Sequence, residues 1–179
     1  MTDTLTPAFV DPVADSQACF RAVLAAMSRP GSVHTLAAFA APAPLCGSVA
    51  SVLLTLVDRE TPLWLDPAAA AARPWIAFHT GAAAAALGTA TFAVALTLPP
   101  LEALHTGADE TPEASATVIL QVASLTDGPR FTVEGPGLPA DFAAIWQRNH
   151  ERFPLGVDLI VCAGNQVAAL PRSIAIGEA

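Results

Sequence analysis

Residues 157–170 read VDLIVCAGNQVAAL. Two apolar runs, 157–162 and 166–170, flank Ala163-Gly164-Asn165, and a Gly-Asn pair between such runs signals a tight β-hairpin. The sheet therefore contains antiparallel pairing. Further upstream, residues 116–122 (ATVILQV) form the clearest central strand, because β-branched and apolar side chains occupy nearly every position, as burial on both faces requires. With residues 63–65 (LWL) and 91–98 (TFAVALTL) as further strands, apolar strands alternate with helical segments along the chain.

The helical segments supply the other half of the pattern. Asp15-Ser16 is predicted to cap a helix running to about Ser28, with Cys19, Phe20, Val23, Leu24 and Met27 at helical spacing and Arg29-Pro30-Gly31 ending it. Residues 46–57 (CGSVASVLLTLV) read as a second apolar helix. Residues 74–79 (PWIAFH) read as a buried strand followed by a helical turn over 82–87. Residues 141–153 read as an amphipathic helix with Phe142, Ile145, Trp146 and Phe153 inward and Arg148, Glu151 and Arg152 outward. Turns are expected at Asp127-Gly128-Pro129 and Gly135-Pro136-Gly137. The sum is an α/β fold, a layered mixed sheet flanked by helices, in one domain spanning residues 1–179 with 1–14 as an extended N-terminal arm.

Charge and composition remove whole classes of function. A formal net charge of -8 repels phosphate backbones, so no nucleic-acid partner is expected. Arg21, Arg29, Arg59, Arg73, Arg130, Arg148, Arg152 and Arg172 account for the whole Lys+Arg total of 8, and the chain has no lysine. Without an ε-amine there is no internal Schiff base, and without a P-loop lysine no Walker-type phosphate cradle. Cys19, Cys46 and Cys162 are odd in number and widely spaced, which fits a reducing, cytoplasmic compartment better than a disulfide framework. The first ten residues lack a basic and then apolar signal pattern. Uncharged stretches at 30–57 and 74–101 are broken by Pro and Gly and lack basic flanks, so they read as core elements rather than membrane spans. With 53% apolar and 13% charged residues, the polar coat is thin, and some apolar surface is expected to meet another protein.

Each chemically suggestive motif also admits a plain structural role. Arg29 in Arg29-Pro30-Gly31 offers a guanidinium and free N–H groups to an anion, though a helix stop needs the same residues. His79 and Thr80, read as lying where a strand gives way to a helix, occupy the usual ligand-facing edge of an α/β sheet. Cys46 near a helix N-terminus, paired with His79 as base, would make a small thiol hydrolase, against which its apolar surroundings argue for a buried, inert thiol. Asp158 inside a strand demands a partner, with Arg152 or Arg172 available. His105 with Asp109, Glu110 and Glu113 has turn composition and no helical ligand spacing, so no metal is expected. Gly135-Pro136-Gly137 is not a dinucleotide loop, and G-x-S-x-G, H-E-x-x-H and C-x-x-C are missing. Arg29, His79, Thr80, Asp158 and Arg172 remain as candidate ligand or partner contacts, with no catalytic residue assigned.

Taken in order, FRAVLAAMSRPG (20–31), LLTLVDRETPLWL (53–65), WIAFHTGA (75–82), PEAS before ATVILQV, GPG (135–137), FPLGVDLI (153–160) and LPR (170–172) resemble the PhnH family, the H subunit of the bacterial carbon-phosphorus lyase core complex. The resemblance covers Phe20 to Arg172. It implies a fold like that of pyridoxal-phosphate-dependent transferases without the cofactor, a homodimer when isolated, and a peripheral place in a complex with G, I and J subunits. It also implies support for making ribose 1-phosphonate 5-triphosphate from a nucleoside triphosphate and a phosphonate, in an accessory, non-catalytic role.

Overall fold

The computed structural model describes residues 9–38, 40–126, 132–134 and 139–176. Helix α1 (Pro12–Ser28) opens on Asp11, whose Oδ1 accepts from the N–H groups of Val13 (3.2 Å) and Ala14 (3.1 Å). Pro12 sits at the first helical position, where its missing N–H costs nothing. The cap is thus Asp11, four residues before the predicted Asp15; Asp15 instead accepts from Asp11 N–H at 3.1 Å. Residues 12–14 of the expected extended arm are helical.

A six-stranded mixed sheet follows, in the order β1-β8-β7-β4-β3-β2. Its parallel centre is β2 (Leu63–Leu65), β3 (Phe92–Ala95), β4 (Thr117–Gln121) and β7 (Asp158–Ala163). The hairpin stands: β8 (Gln166–Leu170) pairs antiparallel with β7, Ala163 opposite Gln166, leaving Gly164 and Asn165 as a two-residue turn. Gly164 has φ +55°, a conformation that favours glycine. The two-residue β1 (His34–Thr35) adds to β8 at one edge. A separate antiparallel pair joins β5 (Ser124–Thr126) to β6 (Thr132–Glu134). The predicted turns at 127–129 and 135–137 lie outside the described residues.

Side chains alternate strictly across the sheet, so the core is double. On one face Val94, Ile119, Ile160, Cys162 and Val167 pack with α1, α2 (Gly47–Leu56) and α3 (Arg73–Thr80). On the other, Ala93, Val118, Leu120, Leu159 and Val161 pack with Leu101, Leu104 and Trp146 of α4 (Phe142–His150). Burial on both faces explains why β4 over 118–120 and β7 over 159–163 are continuously apolar. Trp146 is fully buried and donates its indole N–H to the Ile174 carbonyl at 2.8 Å.

Three segments differ from expectation. Residues 74–79 are not a strand but most of α3. Asp66, just before, accepts from Ala68 N–H at 2.9 Å and starts a 3-10 turn over Pro67–Ala72 that runs directly into the helix. Gly81, at φ +67°, ends it as a left-handed cap. In so short an apolar run periodicity separates strand from helix poorly, and the capping residues decided the outcome. Residues 82–86, predicted to be helical, run beside β2, with Leu63 bridged to Ala84. The last helix is also shorter than expected. It stops at His150, leaving Phe153 57% exposed rather than on the inner face.

Candidate functional site

In open α/β sheets, ligands gather beyond the carboxyl ends of parallel strands. Here the chain itself occupies much of that edge. Gln121, the last residue of β4, accepts from Cys46 N–H (2.8 Å) and donates to the Pro44 carbonyl (3.0 Å), fastening the loop that leads into α2. Asp66, just past β2, accepts from Ala68 N–H and, through its second oxygen, from Leu96 N–H at 3.0 Å. Both polar side chains are consumed in holding backbone.

The predicted site residues disperse over the fold. Arg29 is the C-cap of α1, and its carbonyl accepts from Ser32 N–H (3.1 Å) and Ser32 Oγ (2.7 Å). His79 and Thr80 lie in the last turn of a helix, not at the end of a strand. The His79 ring rests on Trp75 (centroids 4.6 Å apart) and edge-on to Phe78 (5.0 Å), with a buried Nε2 that finds no partner among the described residues. Thr80 Oγ1 donates to the Ile76 carbonyl and accepts from Ala82 N–H, which folds the cap onto itself. Cys46 caps α2, but its thiol meets Ser48 Oγ at 3.3 Å and no hydrogen bond joins it to His79. The nucleophile and base pair of the hydrolase reading is not assembled. Burial pushes the Cys162 thiol well up and that of Cys19 up, against the opposing hydrogen bonds from Ser48 and Thr55, which suppresses both as thiolates. His105 hydrogen-bonds the Ala114 carbonyl through Nδ1 at 2.9 Å, and no group of three or more metal-type side chains gathers among the described residues.

Asp158 and Arg172 do come together. Asp158 Oδ1 accepts from the Arg172 backbone N–H (2.8 Å) and Nε (3.2 Å), and Oδ2 accepts from Nη2 (2.7 Å). Nη1 donates to the carbonyls of Pro112 (2.8 Å) and Gly156 (3.0 Å). Two side chains thereby tie the end of β8, the start of β7 and the turn before β4 into one knot. Beside it the buried Asn149 side chain donates to the Val157 carbonyl and accepts from its N–H, both at 2.9 Å. Gly156, at φ +113°, presses against Asn149, where an added Cβ would lie 2.9 Å from its carbonyl oxygen and from Oδ1.

Sequence reasoning missed one concave feature. A groove of about 330 Å³ runs between α4 and the 3-10 turn Leu101–Ala103, lined by Leu101, Glu102, Ile145, Arg148, Asn149 and Arg152. Its signal was the arginine pair at i and i+4, which the amphipathic pattern alone turns towards solvent. The other surface feature is apolar: Val13, Phe20 and Leu24 of α1 are 68%, 51% and 57% exposed, so Phe20 and Leu24, expected on the inner face, instead flank the buried stripe of Cys19, Val23 and Ala26.

Together these observations define a three-layer α/β fold with a mixed sheet, whose Asp66, Gln121, Asp158 and Arg172 side chains are spent on its own architecture and whose first helix turns apolar side chains outward. The sequence model of the family described as bacterial phosphonate metabolism protein (PhnH) matches residues 7–177, and the chain belongs to that family. It is 36% identical, over 93% of its own length and 92% of the relative's, to the alpha-D-ribose 1-methylphosphonate 5-triphosphate synthase subunit PhnH of Rhizobium meliloti (strain 1021). It is also 36% identical to the putative C-P lyase subunit protein HtxG of Stutzerimonas stutzeri, over 88% of this chain and 83% of that one. No helix among the described residues is long and apolar enough to cross a membrane.

Proposed function

We propose that this chain is an accessory subunit, without a catalytic site of its own, of a carbon-phosphorus lyase core complex. It works in the cytoplasm, beside G, I and J subunits, and supports formation of ribose 1-phosphonate 5-triphosphate from a nucleoside triphosphate and a phosphonate. The observation that carries this reading is the near end-to-end similarity to a synthase subunit. The engagement of Asp66, Gln121, Asp158 and Arg172 in the chain's own architecture supports the non-catalytic part. We read the layered sheet as a transferase-like fold of the pyridoxal-phosphate type that works without the cofactor, since a chain with no lysine has no side chain for an internal aldimine. Alone, the chain is read as a homodimer, with the outward face of α1 as the natural apolar contact.

Co-expression with G, I and J subunits from the same organism tests the assignment. The chain should co-purify with them, the assembly should ribosylate methylphosphonate, and the isolated chain should turn over neither phosphonate nor nucleoside triphosphate. Turnover by the isolated chain, or its absence from the purified assembly, would overturn the reading. Cys46→Ala should leave growth on methylphosphonate unchanged, because a packing thiol is replaceable and a nucleophile is not.

A further inference from the structure

We propose that the groove between α4 and the Leu101–Ala103 turn is a binding site for a small phosphorus oxyanion, a phosphate or phosphonate group on a short organic body, held by Arg148 and Arg152. Arg148, in the last turn of α4, and Arg152, in the turn just after it, both line the groove. In a chain with 16 acidic and 8 basic residues, most cations would be expected to find carboxylate partners. Among the described residues the ion pair formed is Arg172 with Asp158, so Arg148 and Arg152, like Arg21, Arg29, Arg59 and Arg73, carry no carboxylate partner. Glu102, the one carboxylate in the lining, is exposed and pairs with neither.

Arg152 is already oriented. Its Nη2 donates to Thr106 Oγ1 at 3.1 Å, which fixes the guanidinium while leaving most of its five donors free. The Arg148 side chain makes no hydrogen bond among the described residues. Asn149 between them is spent on Val157, so it adds shape rather than a competing acceptor. The floor, Leu101 and Ile145, is apolar and suits a small organic body beneath a charged head. At about 330 Å³ the groove lies at the small end of ligand-sized cavities. Two guanidinium groups lining one groove offer more N–H donors than a planar carboxylate uses, since one fork satisfies a carboxylate, and so suit a tetrahedral anion with three oxygens.

A plain structural role is the competing account: cations in the last turn of a helix stabilise its carbonyl end. Arg148 fits that account, but Arg152 lies beyond the end of α4 and donates sideways to Thr106. The choice of phosphorus over other tetrahedral anions rests on the function proposed above, whereas anion binding itself rests on the groove.

Calorimetric titration of the isolated full chain with methylphosphonate and with inorganic phosphate, at low salt, tests the site. Both anions should bind, and Arg148→Ala/Arg152→Ala should weaken binding about tenfold or more, the loss of two charge-assisted contacts. Arg21→Ala, on a different helix, should bind as the unaltered chain does. Tighter methylphosphonate identifies a phosphonate as the occupant; tighter phosphate identifies a phosphate ester. No binding of either anion, equal binding by acetate, or undiminished binding in the double variant would overturn the proposal. Should the alanine variant fold poorly by urea unfolding, Arg148→Gln/Arg152→Gln serves instead, and Nε resonances of Arg148 and Arg152 in the unaltered chain must shift on adding methylphosphonate. Co-purification of the double variant with G, I and J subunits is read separately, because it reports on the subunit assignment and not on the groove.

Discussion

The corner around Arg172 and the outer face of α1 treat their side chains in opposite ways. At the corner Asp158, Arg172 and Asn149 give nearly every donor and acceptor to neighbouring backbone and to one another. On α1, Val13, Phe20 and Leu24 keep more than half their surface in water. The difference teaches where the fold is complete and where it is not. A charged pair at 15% and 19% side-chain exposure is tolerable only with its hydrogen bonds filled, and here they are filled from within the chain. An exposed apolar stripe gains nothing until another surface covers it.

Substitutions at the corner should therefore damage folding, and those on α1 should damage association. Arg172→Ala is expected to have the largest effect, about 3 kcal/mol lost in urea unfolding, because it removes the guanidinium that pairs with Asp158 and takes a donor from the Pro112 and Gly156 carbonyls. A loss below about 1 kcal/mol would mean the pair is well hydrated and the contrast fails. Asn149→Ala comes next, at about 2 kcal/mol, since both backbone groups of Val157 lose their partner in a buried site. Hydrogen exchange at the Val157 amide should rise sharply in that variant. Smallest in stability is Phe20→Ser/Leu24→Ser, within about 0.5 kcal/mol per site. Light scattering should nevertheless show this variant monomeric at concentrations where the unaltered chain pairs. A double variant that unfolds like Arg172→Ala would show that α1 is part of the core and not a contact surface.

How much of this was legible in the sequence depends on whether the deciding chemistry is local. The hairpin was legible because Gly164 and the flanking apolar runs lie together within residues 157–170. β4 was legible because burial on both faces leaves an unbroken apolar run. PWIAFH misled because Trp75, Ile76 and Phe78 suit either element, and the residues that settle the matter, Asp66 and Gly81, stand outside the run. Of the candidate contacts, the demand for an Asp158 partner was readable, but the choice of Arg172 over Arg152 was not. Arg152 is close in sequence yet reaches Thr106. The groove was invisible for the same reason, since Leu101 and Glu102 meet α4 only once the strands between them are in place.

The rims of the sheet carry a last consequence. On one side β1 is two residues long, too short to template another strand; on the other, Leu63 of β2 already exchanges hydrogen bonds with residues 83 and 85 (2.9 and 3.0 Å). A sheet finished in this way resists lateral growth, the route by which unpaired strands recruit other chains into aggregates. A molecule with so thin a polar coat can therefore carry an apolar helix face outward without zipping edge to edge onto copies of itself.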